Sequence, residues 1–405
     1  LKKLVLFLFL AASAYLSLYW WSYHDKAHPA VLEICNLVTT NHFKQNSELE
    51  RWGIKCHRFA KAIGKSMQTN TDYKLVAQKT NDLLSELKSS HLSVFTPEED
   101  KEIWQGEYQS HGVQFLKIKD RFFVERVLAG SVAARLGVKF GDELLEINSQ
   151  SNLSNLDLIN SEGWFKFNRS GKELLLNLSK SEVKLDKRPV LFEQPNYRIL
   201  KVPSFKKENF ERRDLELLAR KLKKNDKPIF IDLRFNQGGS FVAMLRLLSL
   251  FLCNSEPVGT LITSNSNHSK DIQDDMRDEI LIQDVKQLSV VYLKAFPGYA
   301  CVKSPLRILV NSQTMSVAEI FADAVNSKSK IIGNKTSGRV VVGVWYTLSQ
   351  WPEGFTVSIP QANYKTPDGQ ELESIGVKAD VNVEYTVKDL QAGKDPWIIE
   401  ALNTL

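Results

Sequence analysis

The chain lacks the cysteine and histidine spacings that mark zinc sites. It has 4 cysteines and 7 histidines in 405 residues, with no C-x-x-C pair and no H-E-x-x-H or comparable cluster, so no zinc site and no metal cofactor is expected. It also lacks a dense basic block. Lys plus Arg (53) exceed Asp plus Glu (47) by only six, which gives no case for nucleic acid as the main partner. No internal repeat and no low-complexity segment is present, and only one long apolar run occurs, near the start. What remains is ordinary globular usage, 43% hydrophobic and 25% charged, in a length that suggests two or three domains.

The apolar run sets the expected compartment. Lys2 and Lys3 precede a stretch from Leu4 to Trp21 interrupted only by Ser13 and Ser17, and Ala12-Ser13-Ala14 supplies a small-x-small cleavage pattern. Residues 1–22 therefore read as a signal peptide or, uncleaved, a membrane anchor just long enough to span a bilayer. A buried core helix is the competing reading. Export is expected, with the protein periplasmic or membrane-anchored and its working part outside the cytoplasm. In an oxidising compartment the even cysteine count permits two disulfides. Position favours Cys35–Cys56 and Cys253–Cys301, although four cysteines allow three pairings.

Residues 29–103 read as a helical domain, with Val76, Leu83, Leu84 and Leu87 at helical spacing. Residues 104–182 change character. Gly112-Val113-Gln114-Phe115 begins a strand, Phe122–Val127 forms another, Ser131–Leu136 is a short helix stopped by Gly137, and Glu143–Ile147 is a third strand. The run "VLAGSVAARLGVKFGDELLEIN" resembles a PDZ domain of the circularly permuted bacterial kind. That resemblance implies peptide binding by strand addition, with a terminal carboxylate held by the loop Gly112, Val113, Gln114 and Phe115. An unrelated β-domain acting as a spacer is the alternative.

From 190 to 385 the pattern is α/β, and 386–405 reads as a closing helical segment. A charged helix at Glu208–Lys224 carries Leu215, Leu218 and Leu222. The buried strand Pro228–Leu233 runs into Asn236-Gln237-Gly238-Gly239 and an apolar helix. Leu306–Val310 runs into Ser316 and the helix beginning at Val317, followed by a strand at Lys330–Gly333 and a β-rich stretch at Val340–Pro360. A serine at a helix start lies where free backbone N–H groups and the positive dipole end stabilise an oxyanion. Alone, such a serine is more often an N-cap, and paired glycines after a strand are more often a tight turn.

Together, "PIFIDLRFNQGGS", "LRILVNSQTMSVAEIFADAV", "GNKTSGR" and "PDGQELESIGVKADV" resemble the core of the tail-specific, or carboxyl-terminal processing, serine proteases and their tricorn-core relatives. The resemblance implies a crotonase-like (ClpP-like) α/β core with the PDZ domain inserted after a helical region. It implies protein or peptide substrates, taken by their C-termini, and no cofactor.

The usual family member pairs its serine with a lysine after a glycine, and here that position is Arg339, after Gly338. Arginine stays protonated and cannot serve as a general base, and Lys335 matches a different position. A second branch of the family uses a Ser-His pair in the helical region. "LLSELKSSHLSVFTPEE" places Ser90 and His91 on those positions, and Glu373 fits the glutamate before the late Gly-Val. The resemblance thus implies Ser316 as nucleophile, His91 as base, Ser90 and Glu373 as orienting groups, and Val317 with Gly238 or Gly239 as the oxyanion hole. Each has a plainer reading: His91 a surface or core residue, Ser90 a cap, Glu373 a turn residue. Ser312 and Thr314 fall before the helix and do not match the nucleophile. Arg339 is free to hold a carboxylate by a bidentate contact. The competing functions are a non-catalytic peptide-binding scaffold and a ligand-carrying homologue of the same core.

Overall fold

In the computed structural model the described residues are 27–66, 72–253, 255–266 and 268–405. The apolar segment 1–22 lies outside them. Among the described residues no helix is long and apolar enough to cross a membrane. The chain divides into two compact units.

The first unit holds residues up to Asp100 together with 341–362 and a short piece at 263–265. Its helices are Pro29–Asn41, Ser47–Ser66 and Tyr73–Leu84. Pro29 opens the first where a missing N–H costs nothing. In the third, the Asp72 carboxylate accepts from the Lys74 and Leu75 amides as an N-cap. Val31, Ile34, Cys35 and Val38 share one face of the first helix and are buried, with Trp52 and Cys56 from the second. A disulfide joins Cys35 to Cys56 across that helix pair. Three antiparallel strands complete this core. Ser93–Phe95 pairs with Thr356–Ser358, and Val342–Thr347 pairs with the same long strand, Thr356–Lys365, on its other side. Leu348, Trp351, Phe355, Val357 and Ile359 pack among the helices, and the Trp351 indole donates to the Ala30 carbonyl at 2.9 Å.

That packing corrects the expected continuous core of 190–385. Residues 341–362 belong with the N-terminal helices, because their apolar residues complete the helical core rather than the sheet that carries Ser316.

The second unit contains a five-stranded antiparallel sheet in the order Val113–Ile118, Arg121–Val127, Glu143–Ile147, Gly163–Arg169, Lys172–Leu178. Val124, Phe165, Phe167 and Leu178 are fully buried beneath it. A two-stranded ribbon, Glu107–Ser110 with Ser181–Lys184, ties off both chain ends of this small domain. A six-stranded sheet follows in the order Val381–Asn382, Ser329–Gly333, Leu306–Val310, Ile229–Asp232, Arg198–Lys201, Val190–Glu193. All neighbours are parallel except the last pair. Its inner strands are mostly apolar, as expected where both faces are covered, and every residue of Ile229–Asp232 and Leu306–Val310 is buried.

A further sheet pairs Pro257–Ile262 with Val290–Lys294 and with Asn363–Lys365, and Ser269–Asp271 adds to its edge. Cys253 and Cys301 form the second disulfide. The charged helix is shorter than its sequence suggests: a 3₁₀ turn at Lys207–Asn209 precedes the helix Arg212–Leu222. The small sheet domain packs on the larger sheet through Arg126, whose guanidinium lies 5.1 Å over the Phe235 ring, and through Phe140, 5.5 Å from Tyr385.

Candidate active site

Ser316 sits where the strand Leu306–Val310 delivers the chain to the helix Val317–Ala324. Its backbone has φ 59° and ψ −134°. An N-cap residue is normally extended at negative φ, and a left-handed φ on a non-glycine residue stores strain that the surroundings must hold. Here they do so through one amide. The Ser316 N–H is shared between the Arg339 carbonyl at 2.9 Å and Glu319 Oε2 at 3.0 Å.

Glu319 is fully buried and collects four donors. Besides Ser316 it accepts from the Thr336 hydroxyl at 2.5 Å, the Gly338 amide at 2.6 Å and the Arg339 amide at 3.0 Å. Burial pushes its carboxyl group upward in pKa, while the four donors pull it down. One carboxylate thus fastens the 336–339 loop to the serine turn. The sequence carries a signal for it in the Ser-x-x-Glu spacing of a capping box from Ser316 to Glu319.

The glycine loop comes from the end of the strand Ile229–Asp232. Gly238 has φ +98°, and a Cβ there would lie 2.6 Å from Ser316 Cβ and 3.0 Å from its Oγ. Only glycine fits against the serine. Asn236 shapes the loop: its Nδ2 donates to the Val202 carbonyl at 2.8 Å, its carbonyl accepts the Met315 amide, and its Oδ1 accepts the Gly238 amide at 2.8 Å. The Gly238 N–H is therefore committed to Asn236. The Gly239 and Val317 amides have no acceptor among the described residues, so of the expected oxyanion donors these two are open and Gly238 is not.

Glu373 reaches the same loops. Its Oε2 accepts the Val340 amide at 2.8 Å, and the next amide, Ser374, donates to the Gly338 carbonyl at 2.7 Å. Arg339 contributes its backbone to this junction while its side chain is exposed, as is that of Lys335. Ser312 is exposed too, whereas Thr314 is buried and its hydroxyl donates to the Leu233 carbonyl at 3.0 Å, a brace between the two loops.

Ser90 and His91 lie in the first unit, in the turn before the strand Ser93–Phe95. Ser90 Oγ is 3.0 Å from His91 Nδ1. His91 also has a positive φ, 57°, and a Cβ on Gly343 would approach its own Cβ to 2.8 Å. The ring is thus oriented by a hydroxyl neighbour and seated against a glycine.

In the small sheet domain Gly112 precedes the strand that Val113, Gln114 and Phe115 begin. The Gly112 amide donates to Ser110 Oγ at 2.9 Å, and the Val113 amide to His111 Nδ1 at 3.2 Å. No group of three or more His, Cys, Asp or Glu residues able to hold a metal ion occurs among the described residues.

Residues 196–383 match the profile of Peptidase family S41. Among curated proteins, a probable CtpA-like serine protease of Staphylococcus aureus (strain N315) is 24% identical over 341 residues, which is 78% of this chain and 62% of that protein. Among solved structures, mature CPAF superposes with a TM-score of 0.60 at 14% identity, over 95% of this chain and 97% of that one. The photosystem II D1 C-terminal processing protease gives 0.52 at 16%, over 88% and 92%. At these identities the structural likeness is one of fold. The match spans less than two thirds of the curated relative's length. The matched residues contain both the strained serine and the glycine loop set against it, and over that stretch the chain is similar to peptidase family S41.

Proposed function

We propose that the protein is an exported serine endopeptidase of the carboxyl-terminal processing type. The observation that carries this reading is the Ser316 turn: a serine held at positive φ at the head of a helix, with a glycine backbone packed against its hydroxyl. In the proposed reaction Ser316 Oγ attacks the scissile carbonyl carbon as its proton passes to the His91 imidazole. The tetrahedral oxyanion is met by the Val317 and Gly239 amides. His91 then protonates the departing amine, and water hydrolyses the acyl-enzyme by the same proton relay in reverse. Ser90 orients the imidazole at Nδ1, and Glu373 supports the imidazolium.

The domain 104–182 acts as the PDZ module, recruiting protein or peptide chain ends or gating their access to a crotonase-like core. Residues 1–22 direct export, as signal or anchor, to the periplasm or the outer face of a membrane. A non-catalytic scaffold is the second reading, and the arginine at 339 favours it.

A fluorophosphonate probe on the purified chain separates the two. Labelling should appear on Ser316, disappear in Ser316→Ala, and fall at least a hundredfold in rate in His91→Ala. Its rate should also drop as pH falls through the histidine range near ~6.5. No labelling of the wild-type chain establishes the scaffold. Full labelling of His91→Ala removes the Ser-His mechanism.

A further inference from the structure

The small sheet domain contains a histidine that the proposed chemistry does not use. His111 is 2% exposed, with its ring centroid 5.4 Å from that of Phe165 and 6.4 Å from that of Phe115. Its Nε2 lies 2.8 Å from the Leu158 carbonyl. A carbonyl only accepts, so Nε2 carries the proton and Nδ1 presents a lone pair. That lone pair takes the Val113 amide. Ser110 Oγ takes the Gly112 amide beside it. The two leading amides of the loop expected to hold a chain-end carboxylate are therefore occupied by the protein's own side chains. Gln114 Oε1, next along, is buried and has no partner among the described residues.

We propose that His111 is a proton-operated latch on the chain-end carboxylate site of this domain. The proposal rests on the PDZ reading given above. A proton on Nδ1 turns the acceptor of the Val113 amide into a second donor, and two N–H groups cannot face each other. The Val113 amide is then released, and the imidazolium adds a positive charge beside an incoming carboxylate. One proton is taken up for each chain end bound, and by linkage a bound carboxylate raises the affinity of His111 for that proton. Burial holds the ring below its ordinary pKa. Of the charged groups that act on it, Lys180 opposes protonation and Glu162 favours it. The latch is shut at neutral pH and opens as the medium acidifies.

The test uses the full chain carrying Ser316→Ala, so that nothing is hydrolysed, and a fluorescent decapeptide ending in valine, as free acid and as amide. Anisotropy titrations run from about pH 8 to about pH 5, where the peptide carboxylate stays ionised. The free acid should tighten by up to about tenfold per pH unit, and the amide should not. His111→Asn keeps an acceptor for Val113 but cannot take up a proton, so its binding should be weak and flat with pH. His111→Gln keeps the donor to Leu158 but offers Val113 no acceptor, so its binding should be tight and flat.

Calorimetry of the unmutated loop in buffers of different ionisation enthalpy should show close to one proton taken up per peptide near about pH 7, a readout that needs no variant to fold. Free-acid preference with a flat pH profile overturns the latch and leaves the chain-end site standing. No preference for the free acid at any pH overturns the chain-end site itself.

Discussion

The Ser316 amide donates to the Arg339 carbonyl at 2.9 Å, so position 339 serves the serine turn through its backbone. Its side chain is exposed and takes no part in that contact. Arg339→Ala should keep kcat/KM within about threefold of wild type, a change of under about 1 kcal/mol. Arg339→Lys should leave the acid limb of the pH profile where it is. A limb moved by the lysine variant would place the general base at 339.

Glu319 answers four donors with two oxygens. In Glu319→Gln one of those oxygens becomes an NH₂ group facing N–H and O–H donors. At least one buried donor is then stranded, at about 1–3 kcal/mol. We expect kcat to fall tenfold or more with KM little changed, and the melting temperature to drop by a few degrees. Steady-state kinetics with a thermal melt reads both. An unchanged kcat would show that Ser316 keeps its strained backbone without this carboxylate.

Gly238→Ala places a methyl group 2.6 Å from Ser316 Cβ on a backbone already at φ +98°. Either the serine or the glycine loop must retreat by a sizeable fraction of an ångström. Displacements of that order cost about a hundredfold in rate. The serine-probe labelling rate should fall accordingly while far-ultraviolet circular dichroism stays unchanged. A labelling rate within threefold of wild type would mean that the hydroxyl does not depend on this contact.

His42 is 2% exposed, and burial, reinforced by Lys44, lowers its pKa to about 4. The unfolded chain, near 6.5, then binds the proton first. The stabilisation is complete above about pH 6.5 and is lost as pH falls towards 4, by ~3 kcal/mol for this residue. Glu125 and Asp323, half-buried carboxyl groups raised to about 6 by desolvation, act in the opposite sense over the same range. The informative quantity is therefore the difference between wild type and His42→Asn. Urea midpoints at pH 7.5 and 4.5 should converge between the two proteins as the solution acidifies, and parallel curves would show that His42 titrates normally.

The strand Leu306–Val310 was legible because four apolar residues, broken only by Arg307, lie between polar loops, and the helix after Ser316 because its apolar residues keep helical spacing. Residues 255–294 were not read as a sheet. Their strands are short and half-exposed, and alternation over so few residues resembles loop. The partner of 341–362 was equally hidden, since the pattern of Val357 and Ile359 specifies a buried strand without naming what buries it. In the candidate site the residue types could be named from motif order. The commitments of individual amides could not: that Gly238 gives its N–H to Asn236, or Val113 to His111, depends on loop geometry that only the fold supplies.

The Trp351 indole closes on the Ala30 carbonyl across a sequence separation of 321 residues. On a ribosome adding about 5–20 residues per second, the first helix waits roughly 15–60 s for that partner. Through that interval the apolar faces of Pro29–Asn41 and Ser47–Ser66 have only each other and the third helix to cover them. The Cys35–Cys56 bond, local to the pair, is the one covalent link available to keep them together before the rest of their core is synthesised. The core of the N-terminal unit is thus closed only after residues 341–362 have been synthesised.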